Sequence, residues 1–391
     1  MKETTYKHTE VGVIPSDWDI DYIKNLAVIK TGSRNTQDRI ENGLYPFFVR
    51  SQTVERINSY SFDGEAVLTA GDGVGVGKVI HYVNEKFDCH QRVYRISDFS
   101  EKLNGYFFYL YFSNNFLNRI MQMTAKSSVD SVRMDMIANM QIPLPPTKAE
   151  QTAIATALSD ADALINGLEK LITKKRNIKQ GAMQKLLKPK EGWEVKKLGE
   201  VIQSFQLGGN YPNNQRVTSF PLIKMGNIQR GYIATEKLEY IPEDYKPNEK
   251  DRLHFGDILF NTRNTLDLVG KVTIWRNELP EAYYNSNLMR LKFNPLYISS
   301  NFFMCYVLNA KYSISRLKDI ATGTTSVAAI YTRDLLKLDI PFPSLEEQTQ
   351  IATILSDMDN EISALETKLE KYRSVKLGMM QNLLTGKIRL V

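Results

Sequence analysis

Pro145-Pro146-Thr147-Lys148-Ala149-Glu150-Gln151 opens a pattern that the chain uses twice. From Gln151 to Leu187 the sequence reads QTAIATALSDADALINGLEKLITKKRNIKQGAMQKLL, and from Gln348 to Leu384 it reads QTQIATILSDMDNEISALETKLEKYRSVKLGMMQNLL. The two runs are identical at 20 of 37 positions, without a gap, at an offset of 197 residues. An internal repeat of that length governs how everything around it is read.

Each run begins as a helix should. Thr147 with Glu150, and Ser344 with Glu347, form capping boxes, in which the hydroxyl accepts the third amide and the acid reaches back to the cap amide. Apolar residues then recur at heptad spacing. In the second copy they are Ile351, Leu355, Met358, Ile362, Leu365 and Leu369; in the first, Ile154, Leu158, Ile165, Leu168 and Ile172 keep the same register. Alternating steps of four and three make a seam, so the two helices are expected to pack on each other as a coiled coil. At about 1.5 Å per residue such a helix is a rod of roughly 55 Å, the length of a spacer between domains. The distal part of the first helix is basic, with Lys170, Lys174, Lys175, Arg176, Lys179, Lys185, Lys188 and Lys190. This reads equally as a solvated face or as a surface for DNA or an acidic partner.

The segments flanking the helices also repeat, loosely. Gly192-Trp193-Glu194 answers Asp17-Trp18-Asp19, Gly270-Lys271-Val272 answers Gly77-Lys78-Val79, and Ile340-Pro341-Phe342-Pro343 answers Ile142-Pro143-Leu144-Pro145. Short alternations such as Tyr45 to Val49 and Ala66 to Thr69 predict strands, and Asn104 to Met123 predicts a helix. The chain is thereby divided into a mixed domain at 1–146, a first repeat helix at 147–188, a second mixed domain at 189–343, a second repeat helix at 344–385 and a tail at 386–391. The fold class is α+β: two α/β domains separated by an antiparallel pair of long helices. The tail resembles the passage that follows the first helix, so it is expected to close onto the N-terminal domain.

Bulk properties agree with this division. At 391 residues and 42% hydrophobic the chain can fill two modest cores. No run approaches 18 apolar residues, so no membrane helix is expected. The first residues, MKETTYKHTEVG, lack an apolar signal core, and Cys89 and Cys305 lie far apart. A reduced cytoplasmic setting follows. The net charge of +6 permits a polyanionic partner without demanding one.

Catalytic equipment is scarce. Gly71-Asp72-Gly73-Val74-Gly75-Val76-Gly77-Lys78 is not a P-loop, because Asp72 stands where the first glycine is needed and Val79 replaces the Ser or Thr. His8, His81, His90 and His254 show no metal-ligand spacing. No nucleophile elbow and no cofactor loop occurs. What the domains do share is polar, basic loops. In the first the candidates are Lys30, Ser33, Arg34, Asn35, Arg50, Gln52, Gln91, Arg92, Lys126, Ser127 and Ser128; in the second, Asn210, Lys224, Asn227, Arg263, Asn264, Thr324, Thr325 and Ser326. Arg pairs with guanine and Asn or Gln with adenine in the major groove, whereas Lys, Ser and Thr hold phosphates.

The paired Pro-x-x-Glu-Gln starts, the Met-Gln-x-Leu-Leu ends and the two variable flanking domains resemble the specificity subunit of type I restriction–modification systems. The second start departs slightly, with Pro343-Ser344 against Pro145-Pro146-Thr147. The resemblance implies two target recognition domains, each reading one half of a bipartite site in double-stranded DNA, on a helix pair that sets the spacer. It also implies two modification (methyltransferase) subunits and translocating restriction subunits as partners. The chain itself would be non-catalytic, with adenosylmethionine, ATP and Mg in those partners. A fused nuclease or methyltransferase, and a coiled-coil adaptor without a DNA role, are the competing classes.

Overall fold

A computed structural model of the chain describes residues 5–123 and 131–390. They form two compact units: one contains 1–169 with 368–391, the other 170–367. The two repeat helices, Lys148–Leu186 and Leu345–Leu383, are 39 residues each. Each gives one part to one unit and the rest to the other. Each unit therefore holds a segment of both long helices. The reason is in the seam. Ile154 and Leu158 are buried in the core of the first unit, and Ile351 and Leu355 in that of the second. The start of each helix is part of the domain that precedes it.

The first unit is built on a six-stranded sheet, in the order Val28–Thr31, Val93–Ser97, Phe62–Ala70, Ile80–Cys89, Tyr45–Phe48, Glu55–Ile57. Its central strand, FDGEAVLTA, is apolar on both sides because both faces are covered. Val67 joins Ile80 and Ile96 against Phe107, Phe108 and Phe112 of the helix Gly105–Met123. Ala66 and Leu68 point the other way, with Phe87, Cys89 and Val93. That helix starts where Asn104 Oδ1 accepts the Phe107 amide at 2.9 Å.

The second unit repeats the plan with shorter strands. A four-stranded sheet runs Ile202–Leu207, Leu288–Phe293, Ile258–Asn261, Val272–Ile274. Ile258 and Phe260 face the large core while Leu259 faces a smaller one with Trp275 and Tyr284. In both units the landmark pair found in the sequence proves to be a two-stranded ladder. Asp19–Tyr22 pairs with Gln141–Leu144, and Glu194–Lys197 with Asp339–Phe342.

Both helix starts are capped as expected on one side only. Thr147 Oγ1 accepts the Glu150 amide and Ser344 Oγ the Glu347 amide, each at 3.2 Å. The acids do not reach back. Glu150 is fully buried and holds the Arg389 guanidinium with both oxygens, and Glu347 pairs with Lys190 at 2.7 Å. A full positive charge outcompetes the cap amide for a carboxylate. The adjacent glutamines are the real anchors. Gln151 accepts from the Asn104 amide and donates to Lys102 O and Pro145 O; Gln348 accepts from the Ser299 amide and donates to Tyr297 O and Pro343 O.

Within each unit the helix segments lie side by side in opposite directions. In the first, Asp162 meets Lys376 and Glu169 meets Arg373. In the second, Lys175 meets Glu361, Lys179 meets Asp359 and Lys190 meets Glu347. Ile165, Leu168, Ile172, Ile362 and Leu369 are buried, and Met358 and Leu365 are half-buried. Lys175, Arg176, Lys179 and Lys190 of the basic stretch are thus ion-paired within the second unit. The tail closes on the first unit: Leu384 and Leu390 pack with Ile14 and Trp18, and Tyr6 donates to Lys387 O.

Candidate nucleic-acid interface

The two domains present their polar loops on one backbone frame. In the first unit the Gly71 amide donates to Arg92 O, Gly32 to Val93 O, His90 to Phe48 O, Gln91 to Arg34 O and Val132 to Gly71 O. In the second, Thr262 donates to Asn287 O, Gly208 to Leu288 O, Asn285 to Ile223 O, Ser286 to Gly209 O and Ile330 to Thr262 O. Each bond has its counterpart. The glycine is obligatory in both: a Cβ on Gly32 would meet Cys89 O at 2.0 Å, and one on Gly208 would meet Tyr284 O at 2.2 Å.

On this common frame the side chains differ. In the first unit Arg34, Asn35, Arg50, Gln91 and Arg92 come together. Asp72 accepts from Arg50 at 2.8 Å and lies 3.7 Å from Arg92, so one carboxylate holds two guanidinium groups. Arg34 is braced by buried Asp88 at 3.1 Å, which also accepts from Ser59 and Ser61. Gln91 donates to Asn35 Oδ1 at 2.6 Å. Each arginine keeps donors free on an exposed head, and the fork is pre-organised rather than floppy. His90 accepts the Arg92 amide on Nδ1, and burial, then Arg50, hold its pKa below the ordinary value. Lys30, Ser33 and Gln52 lie exposed on the flanking strand and loops. Lys126, Ser127 and Ser128 lie outside the described residues.

In the second unit Arg263 and Asn264 form a short strand on Ala328–Ala329, whose other side pairs with Thr322–Gly323. This brings Arg263, Asn264, Thr324, Thr325 and Ser326 into one exposed patch, with Asn285, Ser286 and Asn287 on the adjoining turn. Asn210 is exposed after Gly209, where the first unit has Asn35 after Arg34. Two candidates have other duties. Lys224 is paired with Glu239 at 2.9 Å and bonded to Asn213. Asn227 is buried and joins its own loop through Ala234 O, Lys237 O and the Lys224 amide. The sequence reading missed Asp72, Asp88 and Ser286-Asn287. The acids carry no local signal, because what they hold comes from other loops.

Among the described residues no group of three or more His, Cys, Asp or Glu could hold a metal ion, and no helix is long and apolar enough to cross a membrane. The family described as type I restriction modification DNA specificity domain matches residues 15–180 and again 190–372. The chain belongs to that family. It carries two copies of the specificity domain, one on each frame. The type I restriction enzyme MjaVIII specificity subunit of Methanocaldococcus jannaschii is 28% identical over all of this chain and 97% of its own length. The putative MjaX specificity subunit of the same organism is 34% identical over 197 residues, 50% of this chain and 46% of that one. The EcoDI specificity subunit of Escherichia coli is 23% identical over 95% of this chain and 87% of its own. The fold matches that of a type I restriction–modification S subunit from M. genitalium, with a TM-score of 0.64 at 17% identity over 94% of this chain and 96% of that one. The chain is thus a specificity subunit of the type I restriction–modification class, a DNA-recognition component and not a catalytic one.

Proposed function

We propose that each domain reads one half of a bipartite site in double-stranded DNA, and that the two halves differ in sequence. One observation carries this: a matching set of backbone hydrogen bonds displays three arginines with Asn35 and Gln91 on one domain, and a single arginine with Asn, Ser and Thr side chains on the other. A scaffold kept while its outward side chains change is what two readers of different sequences need. The first domain, rich in Arg, favours guanine contacts; the second mixes Arg263 with Asn and Ser/Thr donors. The helix pair sets the unread spacer and docks two modification subunits, with restriction subunits joining that complex in the cytoplasm. Adenosylmethionine, ATP and Mg bind those partners, and this chain supplies only the address. Exchanging residues 1–146 for another such domain, and mapping methylated sites in cells that also carry the modification subunit, is expected to change one half-site only. A change in both half-sites would refute the two-reader proposal.

A further inference from the structure

Beneath the reading loops of the second unit lies a buried cation without a counter-charge. Lys271 is 9% exposed, and its ammonium group donates to Gln229 Oε1 at 3.0 Å. No carboxylate among the described residues lies within ion-pair distance of it. Its charged neighbour is a second cation, Arg230, which donates to Gly270 O at 3.4 Å and likewise has no ion pair. Burial first, then Arg230, lowers the pKa of Lys271, and burial lowers that of Arg230.

The floor of this place is polar and unsatisfied. Leu259 faces Thr273 across an antiparallel ladder, and the Asn261 amide donates to Lys271 O at 2.9 Å. Asn261, Lys271 and Thr273 therefore point to the same side of the sheet. Asn261 and Thr273 are fully buried, and Asn261 Nδ2 and Thr273 Oγ1 have no partner among the described residues. Two like charges and an orphaned donor would each destabilise the fold if left so. One oxyanion with several acceptors answers both cations and the amide. Among the described residues the first unit has no such place, since on the shared frame Ala70 and Val79 stand where Asn261 and Lys271 do.

We propose that Lys271 and Arg230, backed by the Asn261 amide, form an oxyanion site in the second domain that takes a phosphate-class anion, supplied in function by the backbone of bound DNA. The DNA source rests on the recognition reading above; the anion site does not. The test uses the full chain and two readouts. In the first, binding to duplex DNA is measured against KCl for the wild type, Lys271→Gln, Arg230→Gln and Lys271→Arg. Each Gln variant should weaken cognate and unrelated duplexes alike and reduce the steepness of log K against log salt by about one, while Lys271→Arg keeps it. In the second, inorganic phosphate at constant ionic strength should raise the melting temperature of the wild type and not of Lys271→Gln. Phosphate protection with an unchanged slope would keep the site and make its ligand a free anion. The absence of both effects would overturn the proposal. A wild type with no salt-dependent DNA binding would sink the recognition reading instead, leaving the phosphate measurement to judge the site. If Lys271→Gln does not fold, Arg230→Gln, which is half-buried, carries both readouts.

Discussion

Replacing Arg389 by Ala should destabilise the first unit far more than the loss of a surface ion pair ordinarily does. The guanidinium is the partner of Glu150, whose side chain is fully buried, and Arg389 itself is only 16% exposed. Removing one member of a buried pair leaves an uncompensated charge, which costs about 3–5 kcal/mol. The second contact, to Asp17, is 55% exposed on the acid's side and adds at most about 1 kcal/mol. A loss of about 3 kcal/mol or more is therefore expected, against a total of about 5–15 kcal/mol for a domain. The hydrogen bond to Glu150 raises the Arg389 pKa. A cation with a raised pKa contributes all its stability below its unfolded pKa, so the loss should be flat across neutral pH. Urea unfolding of the full chain measures it. Glu150→Gln removes the buried charge, so the double variant should be more stable than Arg389→Ala alone by about 2 kcal/mol. An Arg389→Ala variant within about 0.5 kcal/mol of the wild type, or a double variant no better than the single, would show that the tail does not close the domain through this pair.

Gln348→Ala strips one acceptor and two donors from the start of the second long helix, and should cost about 2 kcal/mol in the same assay; Gln151→Ala should match it, and a loss of only a few tenths in either would refute the anchor role. Burial pushes the Cys89 and Cys305 thiols up to about 12. Both should resist an aromatic disulfide reagent at pH 8 in the native chain and react in denaturing urea; the unfolded thiols ionise first, so stability is whole below their ordinary pKa and declines as pH rises toward 12, less so in the Cys89→Ala, Cys305→Ala double variant. Matched heptad insertions in the two long helices should lengthen the unread spacer in methylation maps while leaving the half-sites as they were; an unchanged spacer would sink the ruler idea.

What was legible in the sequence was local or periodic. The helix starts at Thr147 and Ser344, the seam from Ile154 to Ile172, and the Ile-Pro-x-Pro edges needed no knowledge of distant residues. The glutamine beside each capping acid was visible but meaningless until Asn104 and Ser299 were seen to meet it. Glu150 shows the limit best. Its helix position predicts a cap, yet its partner is 239 residues away, and proximity in the chain lost to charge in space. The loops behaved likewise. Arg50, Gln91 and Arg92 were singled out by type, but the carboxylate that holds two of them, Asp72, lay inside a glycine run that invited a different reading. Asn227 looked like a reader and is a brace, because exposure cannot be told from composition in a loop that folds on itself.

The charge distribution of the repeat explains why the helix segments run in opposite directions within each unit. Both copies are acidic early (Asp160 and Asp162; Asp357 and Asp359) and basic late (Lys175 and Lys179; Arg373 and Lys376). Parallel alignment of two such helices would set acid against acid and base against base. Antiparallel alignment sets each early acid against a late base, which is what Asp162 with Lys376 and Asp359 with Lys179 show. These pairs are half-buried, and their effect is selective: the wrong alignment would set like charges together. Asp359 also accepts from Tyr306 at 2.6 Å and Arg276 at 3.3 Å, both from the domain body. The residue that chooses the direction of the helix therefore also fastens it to the second domain. One duplicated charge pattern thus does two jobs, orienting the helix segments and tying them to what they carry.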